Sequence, residues 1–241
     1  PGARRDVLLA PARASADNQG REESSHAALP LALTPLLGRD ADVQTLRHWL
    51  SDPTARLISL TGPGGVGKTR LALELARAQA VEGTSRVLFV GLAAVRTGAF
   101  VAAAIAEALG VLDATTVDLP RRAQAACDGT PTLLVLDNFE QVLDAAALVA
   151  DLLTAVAPLR VLATSRAPLR VRGEREYAVG PLALDVNAEA ASPSDLTRSP
   201  AVRLFVERAR DVQPDFHLTA GNSLAVTAIC RRLDALPLAL E

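Results

Sequence analysis

The stretch LTGPGGVGKTRLALELA, Leu60 to Ala76, decides how the rest of the chain is read. Among the 25 lysines and arginines of this 241-residue sequence, Lys68 is the one lysine. Arginine carries a wide, flat guanidinium fork, whereas lysine carries a compact ammonium on a slim stem that can enter a backbone loop as a point charge. A chain so biased towards arginine keeps lysine where the fork does not fit. Upstream, RLISLT (Arg56 to Thr61) is a short apolar run suited to a buried strand. Downstream, Leu71, Leu73 and Leu75 sit among good helix formers, so a helix is predicted over 67–81.

Gly62-Pro63-Gly64-Gly65-Val66-Gly67-Lys68-Thr69 therefore lies between a strand and a helix, and it fits G-x-x-x-x-G-K-[ST], the phosphate-binding P-loop. Its glycines let successive N–H groups turn inward, and the helix N-terminus adds unpaired N–H groups and the positive end of its dipole. Lys68 is expected to neutralise the β- and γ-phosphates and the Thr69 hydroxyl to ligate Mg²⁺, with Arg70 next in line and counted with the cradle. TLLVLDNFEQV, Thr132 to Val142, is an apolar strand ending in Asp137, the form of a Walker B segment whose carboxylate serves Mg²⁺. Many such ATPases follow that aspartate with a glutamate acting as general base, but here Asn138 follows. Glu140 is either a substitute base or an exposed acid at a helix start. RVLATSRAPL, Arg160 to Leu169, reads as a buried strand facing the same edge, with Arg166 as candidate γ-phosphate sensor beside Thr164 and Ser165. Arg170, Arg172 and Arg175 are read as surface residues paired with Glu174 and Glu176.

Outward from these segments, strand and helix signals alternate: strand 56–61, helix 67–81, strand 86–91, helices near 98–109 and 118–127, strand 132–137, helix 143–156 and strand 159–164. The expected fold is α/β, a three-layer αβα P-loop NTPase with a mainly parallel sheet, followed by the start of a small helical domain. Residues 1–30 read as a flexible linker, 31–182 as the nucleotide-binding domain and 183–241 as the helical domain. Ahead of the P-loop, Val43, Leu46, Trp49 and Leu50 recur at helical spacing, capped by Asp40 or Asp42. REYAVGPL is read as a last strand, Asp185 to Pro200 as a loop, and Ala201 to Arg210 and Leu224 to Leu233 as helices.

The chain is 49% hydrophobic with a net charge of -2 and interspersed signs, which argues against a nucleic-acid surface or a membrane. Uncharged runs such as Thr97 to Ala106 fall short of the roughly 18 residues a membrane-spanning helix needs. VLLAPARA near the start is too short for a secretory signal, and the cytoplasm is the expected location. Cys127 and Cys230 are expected to be buried free thiols, and His26, His48 and His217 are too scattered for a metal cluster. Lacking methionine, the sequence is expected to be part of a longer protein.

In this order the segments resemble the nucleotide-binding region of the STAND class of P-loop ATPases, which includes the NB-ARC proteins. The likeness is to large bacterial transcriptional regulators joining such an ATPase to a helix-turn-helix or cyclase-like domain and helical repeats. LTPLLGRDADV resembles the class's entry motif, TGPGGVGKTRLALELA its P-loop, LLVLDNFEQV its Walker B, VLATSRAPL its sensor segment and RRLDALPLALE its lid motif. The resemblance implies Leu37, Gly38 and Arg39 near the adenine, Arg166 near the γ-phosphate, and Pro237 and Leu238 over the base and ribose. It also implies an ATP/ADP switch able to self-associate with ATP. Ala235 departs from the pattern, standing where the class usually has glycine. A freestanding AAA+ hydrolase is disfavoured by Asn138, a GTPase by the missing Asn-Lys-x-Asp, and an ABC subunit by the missing L-S-G-G-Q. A nucleotide-binding scaffold without turnover stays open.

Overall fold

The structure, a computed structural model, describes residues 29–32, 34–111, 115–184 and 192–241. The leading segment read as a linker lies outside the described residues up to residue 28. Five strands, β1 (Leu57–Thr61), β2 (Arg86–Gly91), β3 (Thr132–Asp137), β4 (Leu159–Ser165) and β5 (Glu174–Ala178), form one sheet in the order β2-β3-β4-β1-β5. Every neighbouring pair is parallel. Strands buried on both faces read in sequence as continuous apolar runs, which is why β1, β3 and β4 were legible.

The alternation of side chains splits the sheet between two apolar layers. Ile58, Leu60, Leu133, Val135 and Leu162 face α1 (Asp40–Ser51) and α2 (Lys68–Glu82). Leu88, Leu134, Leu136, Val161 and Ala163 face α3 (Gly98–Leu109), α4 (Leu119–Cys127) and α5 (Ala146–Ala155). A third cluster gathers Leu196, Val202, Leu204, Val226 and Cys230 from α6 (Pro193–Leu196), α7 (Pro200–Val212) and α8 (Ser223–Arg232), with Leu240 of α9 (Pro237–Leu240). Leu37 and Leu182 join it from the αβα side.

Several local expectations change. Arg39, not an aspartate, occupies the N-cap of α1, while Asp40 and Asp42 lie in its first turn, where carboxylates favour the helix dipole. The predicted helix 143–156 opens as a 3₁₀ turn, Leu143–Ala145, before α5 begins. Within the expected loop, Ser192 caps α6 by accepting the Asp195 N–H, and Pro200 starts α7 rather than ending the loop; residues 185–191 lie outside the described residues. The arginines near β5 are not paired as expected. Arg175 bonds to Asp52 at 2.8 Å, Glu176 accepts the Thr61 hydroxyl, and Glu174 accepts the N–H groups of Leu169, Arg170 and Val171. Glu174 is drawn to those three donors because the chain turns there with no backbone acceptor to serve them. Cys127 and Cys230 are buried free thiols.

Candidate functional site

Parallel strands deliver their C-terminal ends to one edge, and each of three neighbouring strands contributes there. The loop after β1 carries Gly62–Gly67, β3 ends in Asp137, and β4, which lies between them, ends in Thr164 and Ser165 ahead of Arg166. Two loop glycines are required by a close neighbour as well as by φ. Gly62 has φ +144° and a Cβ there would stand 2.5 Å from the Val179 carbonyl oxygen. Gly65 has φ +79° and a Cβ would stand 2.9 Å from the Leu238 Cβ.

Lys68 opens α2, is 8% exposed, and donates from Nζ to the Gly62 and Pro63 carbonyls at 2.9 Å each. Burial lowers its pKa from the usual lysine range, Glu140 opposes this, Arg166 adds to it and Asp137 opposes it. The Thr69 hydroxyl donates to Asp137 Oδ1 at 2.7 Å, and the Thr164 hydroxyl donates to the same oxygen at 2.6 Å. Thr164 also accepts the Asn138 N–H at 3.0 Å. Asn138 takes φ +63°, a left-handed conformation that asparagine tolerates better than glutamate does.

Glu140, in the 3₁₀ turn Phe139–Gln141, is not an exposed acid: its side chain is 12% exposed. Its carboxylate pairs with Arg166 Nε at 3.4 Å, and its Oε2 is buried without a hydrogen-bond partner. Arg166 itself is 67% exposed. A cavity of about 690 Å³ brings these groups together. One wall is Gly64 to Arg70 with Glu140, Asn138 and Arg166; another is Leu36, Leu37 and Arg39; a third is Leu204, Arg208, Pro237 and Leu238. Leu238 N–H donates to the Gly65 carbonyl at 3.1 Å, seating α9 directly on the loop.

Gly62, Pro63, Gly38 and Asp137 are not on the cavity wall. Asp137 lies behind Thr69, 6% exposed. Gly38 takes φ +65° and packs against Pro200. Arg39 is on the wall, yet its guanidinium is engaged with Val66 O, Gly180 O and Asp42. Leu204 and Arg208, one turn apart on α7, were missed by the sequence reading because nothing local marks a helical face as cavity lining. Among the described residues there is no group of three or more His, Cys, Asp or Glu that could hold a metal ion, and no helix long and apolar enough to cross a membrane.

A glycine-built loop between β1 and α2, with its lysine at the helix start and an aspartate on the strand next but one, defines a P-loop NTPase of the three-layer αβα fold. Residues 51–173 match the AAA domain family, and the chain belongs to that family. A "Putative HTH-type transcriptional regulator" of Mycobacterium tuberculosis is 43% identical over 190 residues, 77% of this chain and 20% of that protein. An uncharacterized protein of the same organism is 37% identical over 210 residues, 87% of this chain and 50% of its own length. The chain thus spans between a fifth and a half of these relatives. In fold it is similar to a Signal Transduction ATPase with Numerous Domains (STAND) protein with a tetratricopeptide repeat sensor from Pyrococcus horikoshii, with a TM-score of 0.53 and 15% identity, covering 90% of this chain and 31% of that one. It is also similar to Cdc6p from Pyrobaculum aerophilum, with a TM-score of 0.52 and 14% identity over 86% and 63% of the two chains.

Proposed function

We propose that the chain is the ATP/ADP-binding switch of a larger multidomain regulator, with slow hydrolysis. The observation that carries this reading is the shared cavity: loop amides, Lys68 and Arg166 meet on one side of it and the helical segment Pro237–Leu238 on another. Its volume lies within the usual range of roughly 300–1,000 Å³ for small-molecule sites. The loop fits a phosphate chain, since Gly62, Gly65 and Gly67 all hold positive φ and carry the backbone into the N-terminus of α2, where Lys68 stands. A divalent cation fits the oxygens of Thr69 and Asp137, and would supply neutralisation of phosphate charge there. Lys68 would bind the β- and γ-phosphates, and Arg166, exposed and only loosely paired, would contact the γ-phosphate alone. The apolar residues Leu37, Pro237 and Leu238 suit the base. Residues 31–182 would form the nucleotide-binding domain and 183–241 the helical domain that covers it.

The name of the 43% identical relative supports a regulator, whose helix-turn-helix or cyclase-like domain and repeats would be the partners, together with ATP-dependent self-association. A hydrolase is the second reading, favoured by the buried carboxylate of Glu140 facing the cavity as a candidate base for water. Calorimetric titration with Mg²⁺-ATP and Mg²⁺-ADP tests the switch. Lys68→Ala is expected to abolish tight binding of both, and Arg166→Ala to weaken ATP alone by about ten- to a hundredfold, the worth of a charge-assisted bond. Unchanged affinity in Lys68→Ala refutes the phosphate role. Brisk phosphate release that disappears in Glu140→Gln decides for the hydrolase.

A further inference from the structure

We propose that Arg39 is the positioning residue of the phosphate loop, holding it from its carbonyl side and tying it to the segment from which the helical elements follow; this rests on the nucleotide reading above. The side chain is 7% exposed and three of the five guanidinium N–H donors are committed. Nη2 donates to the Val66 carbonyl at 2.9 Å and to the Gly180 carbonyl at 2.7 Å, while Nη1 donates to Asp42 Oδ2 at 3.0 Å. Asp42 is fixed in turn, because its Oδ1 accepts the Tyr177 hydroxyl at 2.5 Å and Tyr177 packs edge-on against Trp49.

The consequence for the loop follows from peptide geometry. A peptide group is planar and trans, so its C=O and N–H point in opposite directions and cannot be aimed separately. Fixing the Val66 carbonyl fixes the Gly67 N–H. Fixing the Gly65 carbonyl, which Leu238 N–H holds at 3.1 Å, fixes the Val66 N–H in the same way. Two successive amides of the cradle are thus aimed by partners outside the loop, one from the N-terminal segment and one from α9.

The two arms meet. Two residues after Gly180, Leu182 N–H donates to the Ala235 carbonyl at 3.1 Å, and Ala235 lies three residues before Leu238. Four hydrogen bonds and three short runs of chain, through Val66, Arg39, Gly180, Leu182, Ala235, Leu238 and Gly65, close a circuit on the loop. Lysine cannot replace Arg39 in it, since one ammonium at the end of a single stem does not reproduce a planar fork that spans two carbonyls and a carboxylate.

The test uses the full 241-residue chain, with Mg²⁺-ATP and Mg²⁺-ADP as probes in calorimetry. Arg39→Lys is expected to weaken both nucleotides equally, by about tenfold or more, because the misaimed amides serve phosphates that both carry. Binding stoichiometry should be unchanged, since every folded molecule still binds. Affinity within twofold of the parent, lowered stoichiometry at unchanged affinity, or a loss confined to ATP would overturn the proposal. If Arg39→Lys does not fold, Asp42→Asn carries the test: it leaves both carbonyl contacts possible but loosens the guanidinium, and a loss of about threefold for both nucleotides is expected, with no loss overturning the proposal. Lys68→Ala separates the two levels. No binding of either nucleotide to the parent chain overturns the nucleotide reading, and intact binding in Lys68→Ala overturns the phosphate role of the loop, each taking this inference with it; binding lost in Lys68→Ala and kept in Arg39→Lys overturns this inference alone.

Discussion

Replacing Thr164 by valine keeps the shape of a side chain that is 1% exposed and removes only its hydroxyl. That hydroxyl does two things: it donates to Asp137 Oδ1 at 2.6 Å and accepts the Asn138 N–H at 3.0 Å. A hydrogen bond to a charged group contributes about 1.5–3 kcal/mol, and an N–H left buried without a partner costs about 1–3 kcal/mol. Thr69 still serves the same carboxylate oxygen, and the new methyl group offsets roughly 0.8 kcal/mol by its burial. The expected net loss is about 2–5 kcal/mol, towards the lower end because Thr69 still serves Asp137. Thr164→Ser keeps the hydroxyl and loses one buried methyl, for about 1 kcal/mol. Urea unfolding followed by Trp49, the one tryptophan, reads both variants, since Trp49 sits against the αβα core. The midpoint should fall with an unchanged slope, further for valine than for serine. If serine costs more than valine, or valine costs less than about 0.5 kcal/mol, Thr164 is packing and not the residue that orients Asp137.

Gly38→Ala should cost about 2–4 kcal/mol, from a left-handed φ of +65° and a Cβ that would stand 2.2 Å from Pro200 Cβ, on a rigid ring; normal urea stability would show that the entry segment does not seat α7. Tyr177 is the one tyrosine, so its phenolate absorbance can be followed alone, and its midpoint is expected at about 12 because burial first, then the hydrogen bond and charge of Asp42, disfavour phenolate while Arg39 opposes. With the folded pKa raised above the ordinary 10, its contribution to stability is fully present below pH 10 and lost as pH rises through 12; a midpoint near 10 in the folded protein would refute the Asp42 contact.

The sheet was readable because β1, β3 and β4 are buried on both faces and flanked by helices of ordinary length, so local pattern and tertiary environment agree. The loop was readable for a related reason: glycine spacing is a backbone requirement, and backbone requirements are written locally. What escaped were side chains whose partners are distant. Arg39 bonds to Val66 across 27 positions and to Gly180 across 141, so no window of sequence could tell a base-facing arginine from one that braces the loop. Glu140 escaped likewise, its burial being set by the neighbouring strand end that carries Arg166 and not by its own turn.

Ala235 shows how a departure from a pattern can keep the pattern's geometry. After α8, Asp234 N–H donates to the Arg231 carbonyl at 3.1 Å and Ala235 N–H to the Cys230 carbonyl at 2.8 Å, the paired bonds of a Schellman turn. Both residues are left-handed, with φ +52° and +50°. Alanine in that conformation costs on the order of 1 kcal/mol, which glycine would avoid. The turn forms regardless, because the Ala235 carbonyl is held by Leu182 N–H and the Ala235 side chain is buried in the third apolar cluster. A methyl buried there offsets about 0.8 kcal/mol, nearly the whole conformational penalty. Alanine can therefore stand in the glycine position without moving α9, and Leu238 still reaches Gly65.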